Sequence, residues 1–253
     1  MIKTDEIIKV AVCGGSGYTG IEILRILSGH PQIIVTAVTS EKSAGKSVSS
    51  VFPHLSKYRN LTYERLDKIS LLKKADVFFL ALPHGASQET VHFFFNKGKR
   101  VIDLSADYRL SDPIVYEEWY GLPHQYPATL KKAVFGLPEI YRSSIRKAKL
   151  VANPGCYPTS AILGLLPAIK GKLIDLSSLI IDSKSGTTGA GRKADLSVSF
   201  CEVNEGFKAY GLGTHRHTPE IEQELSSVSG RGIKVNFTPH LLPVDRGILT
   251  TIY

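Results

Sequence analysis

A chain of 253 residues with 43% hydrophobic and 21% charged side chains can bury one large core or two of ordinary size. No apolar run reaches membrane-spanning length, and "MIKTDEIIKVAV" lacks the cationic-then-apolar pattern of a signal peptide. The composition therefore predicts a cytoplasmic protein with no membrane partner. The net charge is +8, yet the basic residues are dispersed with no stripe interleaved with aromatics, which speaks against nucleic acid and for small anionic ligands. Cys13, Cys156 and Cys201 are too few and too scattered for a disulfide framework or a zinc site.

In chain order, "IIKVAVC" (residues 7–13) is a short apolar strand that runs into glycines. "YTGIEILRILSGH" spaces Ile21, Leu24 and Leu27 three apart, with Ile23 and Ile26 widening the face, and predicts a buried helix. "QIIVTAVTS" is a second strand, "DVFFLALP" (residues 76–83) a third, and after a helix to Phe95 "KRVIDLS" is a fourth. Strands separated by helical patterns imply an α/β arrangement of parallel βαβ units with right-handed crossovers. The pattern then changes. "KLVANPG" is a strand, the segment after Cys156 a helix, and "SLIIDSKSGTTGAGR" a strand entering a glycine loop. From "GIKVNF" to the last residue the chain reads as β-rich. The expected division is an α/β domain over residues 1–154 and an α+β domain over 155–253.

The loop "VCGGSGYTG" places Gly14, Gly17 and Gly20 three apart between a strand and a helix. A pyrophosphate needs a tight turn, close approach to backbone and a helix N-terminus offering N–H donors, which this spacing can provide. The second strand ends in Thr39 and Ser40, followed by Ser43, Lys46 and Ser47. Hydroxyls and a lysine suit a 2′-phosphate, so NADP(H) is favoured over NAD, with Glu41 dissenting.

"NPGCYPTSAILGLLPAI" sets Cys156 between Gly155 and Pro158 at a predicted helix entrance, where unpaired amides and the dipole favour a thiolate. Cys13 and Cys201 have no such setting. "GTHRHTPEIEQ" supplies His215 and His217 as candidate bases; if extended, the segment projects both imidazoles to one side, with Glu220 near enough to orient one. No third ligand stands at metal spacing. "IDLSADYRL" carries Asp103, Ser105, Asp107 and Arg109, and "SKSGTTGAGR" carries Lys184, Gly186, Gly189, Gly191 and Arg192. The basic residues can hold a carboxylate or phosphate, and the glycine loop can form an anion nest.

Together "GGSGYTG", "ALPHG", "DLSADYR", "NPGCYPT", "SGTTGAGR" and "HRHTPEIEQ" resemble, in order and across nearly the whole chain, the N-acetyl-γ-glutamyl-phosphate reductases of arginine biosynthesis. The resemblance implies a Rossmann-type domain followed by an α+β domain shared with aspartate-semialdehyde dehydrogenases. It also implies that the catalytic domain is truncated here at its C-terminus. The implied chemistry is NADPH-dependent reduction of an acyl phosphate through a thioester on Cys156, with His217 as acid/base and His215 as second choice. Implied cofactor contacts are Gly14, Ser16, Gly17, Tyr18, Thr19, Gly20, Ser40, Ser43, Lys46, Pro83 and Gly189. Implied substrate and phosphate contacts are Arg109, Asn153, Lys184, Ser185, Arg192 and Glu220, in a homo-oligomer, dimer or tetramer. The competing readings are a related semialdehyde dehydrogenase, a nucleotide-binding regulatory partner, and a cofactor-free Cys–His hydrolase.

Overall fold

Apolar strands alternating with amphipathic helices build, in a computed structural model that describes residues 7–253, two separate units. One holds the chain up to Ser111 together with His124–Asn153; the other holds Asp112–Pro123 and Pro154–Tyr253.

The first unit runs β1 (Ile8–Cys13), α1 (Tyr18–Ser28), β2 (Ile33–Thr39), α2 (Val48–Val51), β3 (Tyr63–Glu64), α3 (Lys68–Lys74), β4 (Val77–Leu80), α4 (Ser87–Asn96) and β5 (Arg100–Asp103). It is interrupted by α5 (Pro113–Tyr120), which belongs to the second unit. It resumes with α6 (Pro127–Leu130), β6 (Val134–Phe135), α7 (Pro138–Lys147) and β7 (Leu150–Ala152). The strands form a parallel sheet in the order β3-β2-β1-β4-β5-β7-β6. In β1, Val10, Ala11, Val12 and Cys13 are all buried, because helices cover both faces of a parallel sheet. Val10 and Val12 join Ile23, Leu24, Leu27 and Val38 in one core layer. Ala11 and Cys13 join Phe78, Leu80, Val91 and Phe94 in the other. Each fully buried side chain such as Leu24 or Phe94 contributes about 1.5–3 kcal/mol of burial. Ile26, placed on the widened face of α1 by periodicity, is instead 59% exposed, so the buried stripe is narrower than predicted. Strand order reverses at β1, between β2 and β4, and the carboxyl end of β1 is therefore where a ligand crevice opens.

In the second unit, α5 is followed by α8 (Cys156–Lys170), β8 (Leu179–Ser185), α9 (Phe200–Val203), β9 (Lys208–Ala209), α10 (Thr218–Ser229), β10 (Val235–Leu241) and β11 (Ile248–Ile252). The sheet order is β11-β8-β10-β9, with β8 and β10 parallel and the outer pairings antiparallel. Leu179, Ile181, Ser183 and Ser185 alternate inward along β8, whereas Ile180 is 44% exposed on the other face. Ser160 of α8 donates to Thr250 of β11 at 2.7 Å, and Thr250 lies 2.9 Å from Ser183, which ties the helix to the inward face. Helix α10 begins just past the two histidines: Pro219 sits in its first turn, and Ile221 and Leu225, four apart, are buried.

Candidate active site

The three spaced glycines divide the work at the carboxyl end of β1. Gly14 has φ +83°, and a Cβ there would sit 2.2 Å from the Ala81 carbonyl oxygen, so the turn admits only glycine. A Cβ on Gly20 would lie 2.4 Å from Gly14 O and 2.6 Å from Gly15 Cα, since α1 packs directly on the loop. Gly17 is different: it N-caps α1, and a Cβ there would meet nothing closer than Gly14 O at 3.7 Å. The first turn of α1, led by exposed Tyr18 and Thr19, carries no acidic residue and no side-chain cap. Its amides thus face an open cradle suited to a diphosphate.

The end of β2 completes this site. Thr39 is buried and accepts the Gly14 N–H at 3.2 Å. Ser40 lies 2.6 Å from the Ser16 hydroxyl and accepts the Ser43 N–H at 3.1 Å, which draws Ser16, Ser40 and Ser43 together. Lys46 is exposed beyond them. Glu41, the residue arguing for NAD, accepts the Leu66 N–H at 3.2 Å, so its carboxylate is committed to the neighbouring loop. The residues present fit a dinucleotide, and the cluster of hydroxyls with a lysine fits a 2′-phosphate.

Pro83 is exposed in the turn after β4, and that turn is locked by the loop after β5. Asp107 accepts the amides of Gly85 (2.8 Å) and Gln88 (3.1 Å), while His84 Nδ1 accepts the Ala106 N–H at 3.0 Å. Asp103 is wholly buried and accepts hydroxyls from Ser87 and Ser105, both at 2.7 Å; burial pushes its carboxyl up to about 6. Arg109 is also buried. Its Nε donates to the Asn153 carbonyl at 2.8 Å and its Nη2 to the Leu104 carbonyl at 2.9 Å, so the guanidinium binds the exits of β5 and β7 together. Asn153 in turn donates its N–H to Asp103 O at 2.7 Å.

In the second unit Cys156 is the first residue of α8, exposed, and in no disulfide. Gly155 is the N-cap with extended backbone, and the first turn has no acidic residue. Pro158, third in the helix, brings no N–H that would need a partner. The next side chain, Tyr157, is buried, and its ring packs edge-on to His215 (5.6 Å), His217 (5.9 Å) and Phe237 (5.3 Å). Its hydroxyl lies 2.9 Å from that of Tyr210. The histidines come together through a turn rather than a strand: Gly211 and Gly213 have positive φ, and the imidazoles stand 4.9 Å apart. His217 N-caps α10 and gives its N–H to His215 Nδ1 at 3.1 Å, which fixes the His215 ring with Nδ1 as acceptor. Burial, helped by Arg216, lowers His215 to about 4. Arg216 itself lies over Tyr120 at 5.3 Å, so α5 pins this turn from outside. Glu220 is 1% exposed, and its Oε1 accepts the Gly155 N–H at 2.7 Å.

The remaining expected contacts lie elsewhere in this unit. Ser185 is buried at the end of β8, on the face that α8 covers. Lys184 projects to the opposite face, where its ammonium pairs with Asp182 at 2.6 Å and Asp182 lies 3.0 Å from His240 Nδ1. Arg192 is exposed beyond the turn holding Gly189. That glycine loop is not an anion nest. The amides of Gly186, Thr187 and Thr188 donate to the carbonyls of Gly247, Val244 and Asp245, and those of Gly189 and Gly191 close the loop on itself. Cys13 is buried and its thiol is pushed up to about 12, consistent with a packing role. Sequence reading missed Tyr157 and Tyr210 as partners of the histidines, although Tyr157 stands beside the cysteine in the motif.

Residues 9–148 match the family model described as semialdehyde dehydrogenase, NAD binding domain, and residues 156–253 match semialdehyde dehydrogenase, dimerisation domain. N-acetyl-gamma-glutamyl-phosphate reductase of Geobacter metallireducens is 58% identical over 97% of this chain and 71% of its own length. The same-named protein of Pelobacter propionicus is 60% identical over the same shares. The chain belongs to the N-acetyl-gamma-glutamyl-phosphate reductase family. Among solved structures, aspartate semialdehyde dehydrogenase with NADP from Candida albicans aligns with a TM-score of 0.69 at 17% identity, covering 98% of this chain and 71% of that one. Aspartate semialdehyde dehydrogenase II from Vibrio cholerae gives 0.70 at 15% identity, covering 98% and 74%. These two likenesses show the fold of this chain. No helix among the described residues is long and apolar enough to cross a membrane.

Proposed function

We propose that this chain carries out NADPH-dependent reduction of N-acetyl-γ-glutamyl phosphate to N-acetylglutamate 5-semialdehyde and phosphate, in arginine biosynthesis. Family membership supports the reaction. The observation that carries it to named residues is Cys156 as first residue of α8, with the His215–His217 pair packed against Tyr157 beside it.

The Cys156 thiolate forms a bond to the acyl carbon, and the developing oxyanion is met by the first-turn amides of α8. Collapse breaks the carbon–oxygen bond to phosphate and leaves a thioester on Cys156. NADPH, when bound by the α1 cradle and the Ser16–Ser40–Ser43 cluster with Lys46, supplies the hydride that brings the thioester to the aldehyde level. His217 gives a proton to the oxygen as it becomes a thiohemiacetal. It takes that proton back as the carbon–sulfur bond breaks and the semialdehyde leaves. His217 suits this role better than His215, whose Nδ1 is engaged and whose ring is held neutral by burial. Arg109, Asn153, Ser185, Arg192 and Lys184 remain the proposed substrate and phosphate contacts, with Pro83 and Gly189 on the cofactor side. Of these, Lys184 must leave Asp182 to serve, and the buried Arg109 guanidinium must leave the Asn153 and Leu104 carbonyls. The dimerisation-domain match supports a homo-oligomer, and we extend this to a dimer or tetramer working in the cytoplasm, with the functional division at residues 154/155.

The test runs the reaction backwards with N-acetylglutamate semialdehyde, phosphate and NADP⁺. Phosphate-dependent appearance of NADPH is expected; a folded protein that binds NADPH yet gives none would overturn the reading.

A further inference from the structure

The N-terminus of α8 presents a problem that its own sequence does not solve. A helix N-cap amide is commonly satisfied by a Glu or Gln at the third helical position of the same helix, reaching back. In α8 the third residue is Pro158, which has no side-chain acceptor, and the N-cap Gly155 has no side chain to bond the amides ahead of it. The acceptor comes from another helix. Glu220 is the third residue of α10, the position from which it would ordinarily cap its own helix. Its Oε1 takes the Gly155 N–H at 2.7 Å, with the side chain 1% exposed and 65 residues away in sequence.

We infer that Glu220 is a positioning residue for the nucleophile, a capping box shared between two helices that fixes Cys156 against the histidine turn. The bond falls on the residue directly before Cys156, and α10 begins at its N-cap, His217. One buried hydrogen bond thus joins the start of the nucleophile's helix to the start of the base's helix. Tyr157 fills the space between, in edge contact with both imidazoles. The acceptor oxygen is what matters here, so the amide of glutamine serves where alanine does not. This assigns Glu220 to the loop of the nucleophile rather than to substrate, and it rests on the reading of Cys156 as the reactive thiol.

The experiment compares Glu220→Gln and Glu220→Ala with the unaltered protein, each checked for cooperative thermal unfolding. Two readouts are taken: the rate at which iodoacetamide alkylates Cys156, followed by mass spectrometry of its peptide, and kcat and KM in the reductase reaction. The alkylation readout needs no substrate, so it stands even if the proposed reaction fails. Glu220→Ala is expected to change the alkylation rate at least about fivefold. It should lower kcat by about 10–100-fold with KM within about threefold, as loss of alignment does. Glu220→Gln is expected to restore both to within about threefold. A folded Glu220→Ala protein with unchanged alkylation and kcat overturns the inference. So does a Gln variant as impaired as the Ala variant, or a loss confined to KM, which would return Glu220 to substrate binding.

Discussion

Helices α1 and α8 begin in nearly the same way. Each comes after a parallel strand of the first unit's sheet, each is N-capped by a glycine with extended backbone (Gly17 at φ −78°, ψ 164°; Gly155 at φ −65°, ψ 157°), and neither has an acidic first turn. The two differ in the residues just past the cap. In α1 the third helical residue is Gly20, which lets the helix press onto the loop, and a Cβ at Gly17 would meet nothing closer than Gly14 O at 3.7 Å. In α8 the first three residues are Cys156, Tyr157 and Pro158, so a thiol stands at the first helical position, where α1 carries the exposed Tyr18. One backbone device therefore serves two ends: bare amides for a diphosphate, and amides beside a sulfur for an acyl transfer.

Substitutions at the two caps sharpen this contrast. The largest effect is expected from Cys156→Ser, which should lower turnover by about 10⁴-fold or more while leaving NADPH affinity within about twofold. Steady-state rates with fluorescence titration of NADPH check both halves. His217→Asn should cost about 10²–10⁴-fold in kcat, the range for loss of a general acid/base, and His215→Asn markedly less; equal losses would undo the assignment of roles. In α1, Gly20→Ala forces a Cβ against Gly14 and should destabilise the fold by about 1–3 kcal/mol in urea unfolding. Gly17→Ala, with room for its methyl, should leave unfolding within about 0.5 kcal/mol yet weaken NADPH about tenfold.

The smallest effect concerns pH. His215 is lowered from 6.5 to about 4 by burial, so between these values the unfolded chain binds the extra proton. The stability His215 contributes in its neutral form is present above about pH 6.5 and is lost as pH falls toward 4. Asp103, raised to about 6, acts oppositely, since there the folded state binds the proton first as pH falls. The comparison of His215→Asn with the unaltered protein at pH 7 and pH 4.5 isolates the histidine: the variant should lose less stability on acidification.

Separation along the chain decides which of these features the sequence reveals. Gly14, Gly17, Gly20, Gly155, Cys156 and Pro158 act through local backbone geometry, so their spacing alone marks two helix entrances. His215 and His217 were recognisable as a pair, but their closeness comes from glycine turns at 211 and 213, not from an extended strand. Lys184 and Asp182 are two apart on a strand and so share one face, yet the sequence reading set Lys184 toward an anionic ligand and did not anticipate their ion pair. The bond from Glu220 to Gly155 and the capture of the 186–188 amides by residues 244–247 were not legible. Both depend on how distant segments pack, about which local pattern is silent.

The proposed chemistry turns on a thioester at Cys156, and the direct measurement omits phosphate. The protein is mixed with N-acetylglutamate semialdehyde and NADP⁺ alone, NADPH is followed in the first turnover, and the Cys156 peptide is then weighed. A thioester mechanism predicts a burst of about one NADPH per active chain, with the N-acetylglutamyl group on Cys156 released by added phosphate or hydroxylamine. A burst that persists in Cys156→Ser, or NADPH formation with no acyl group on Cys156, would contradict it.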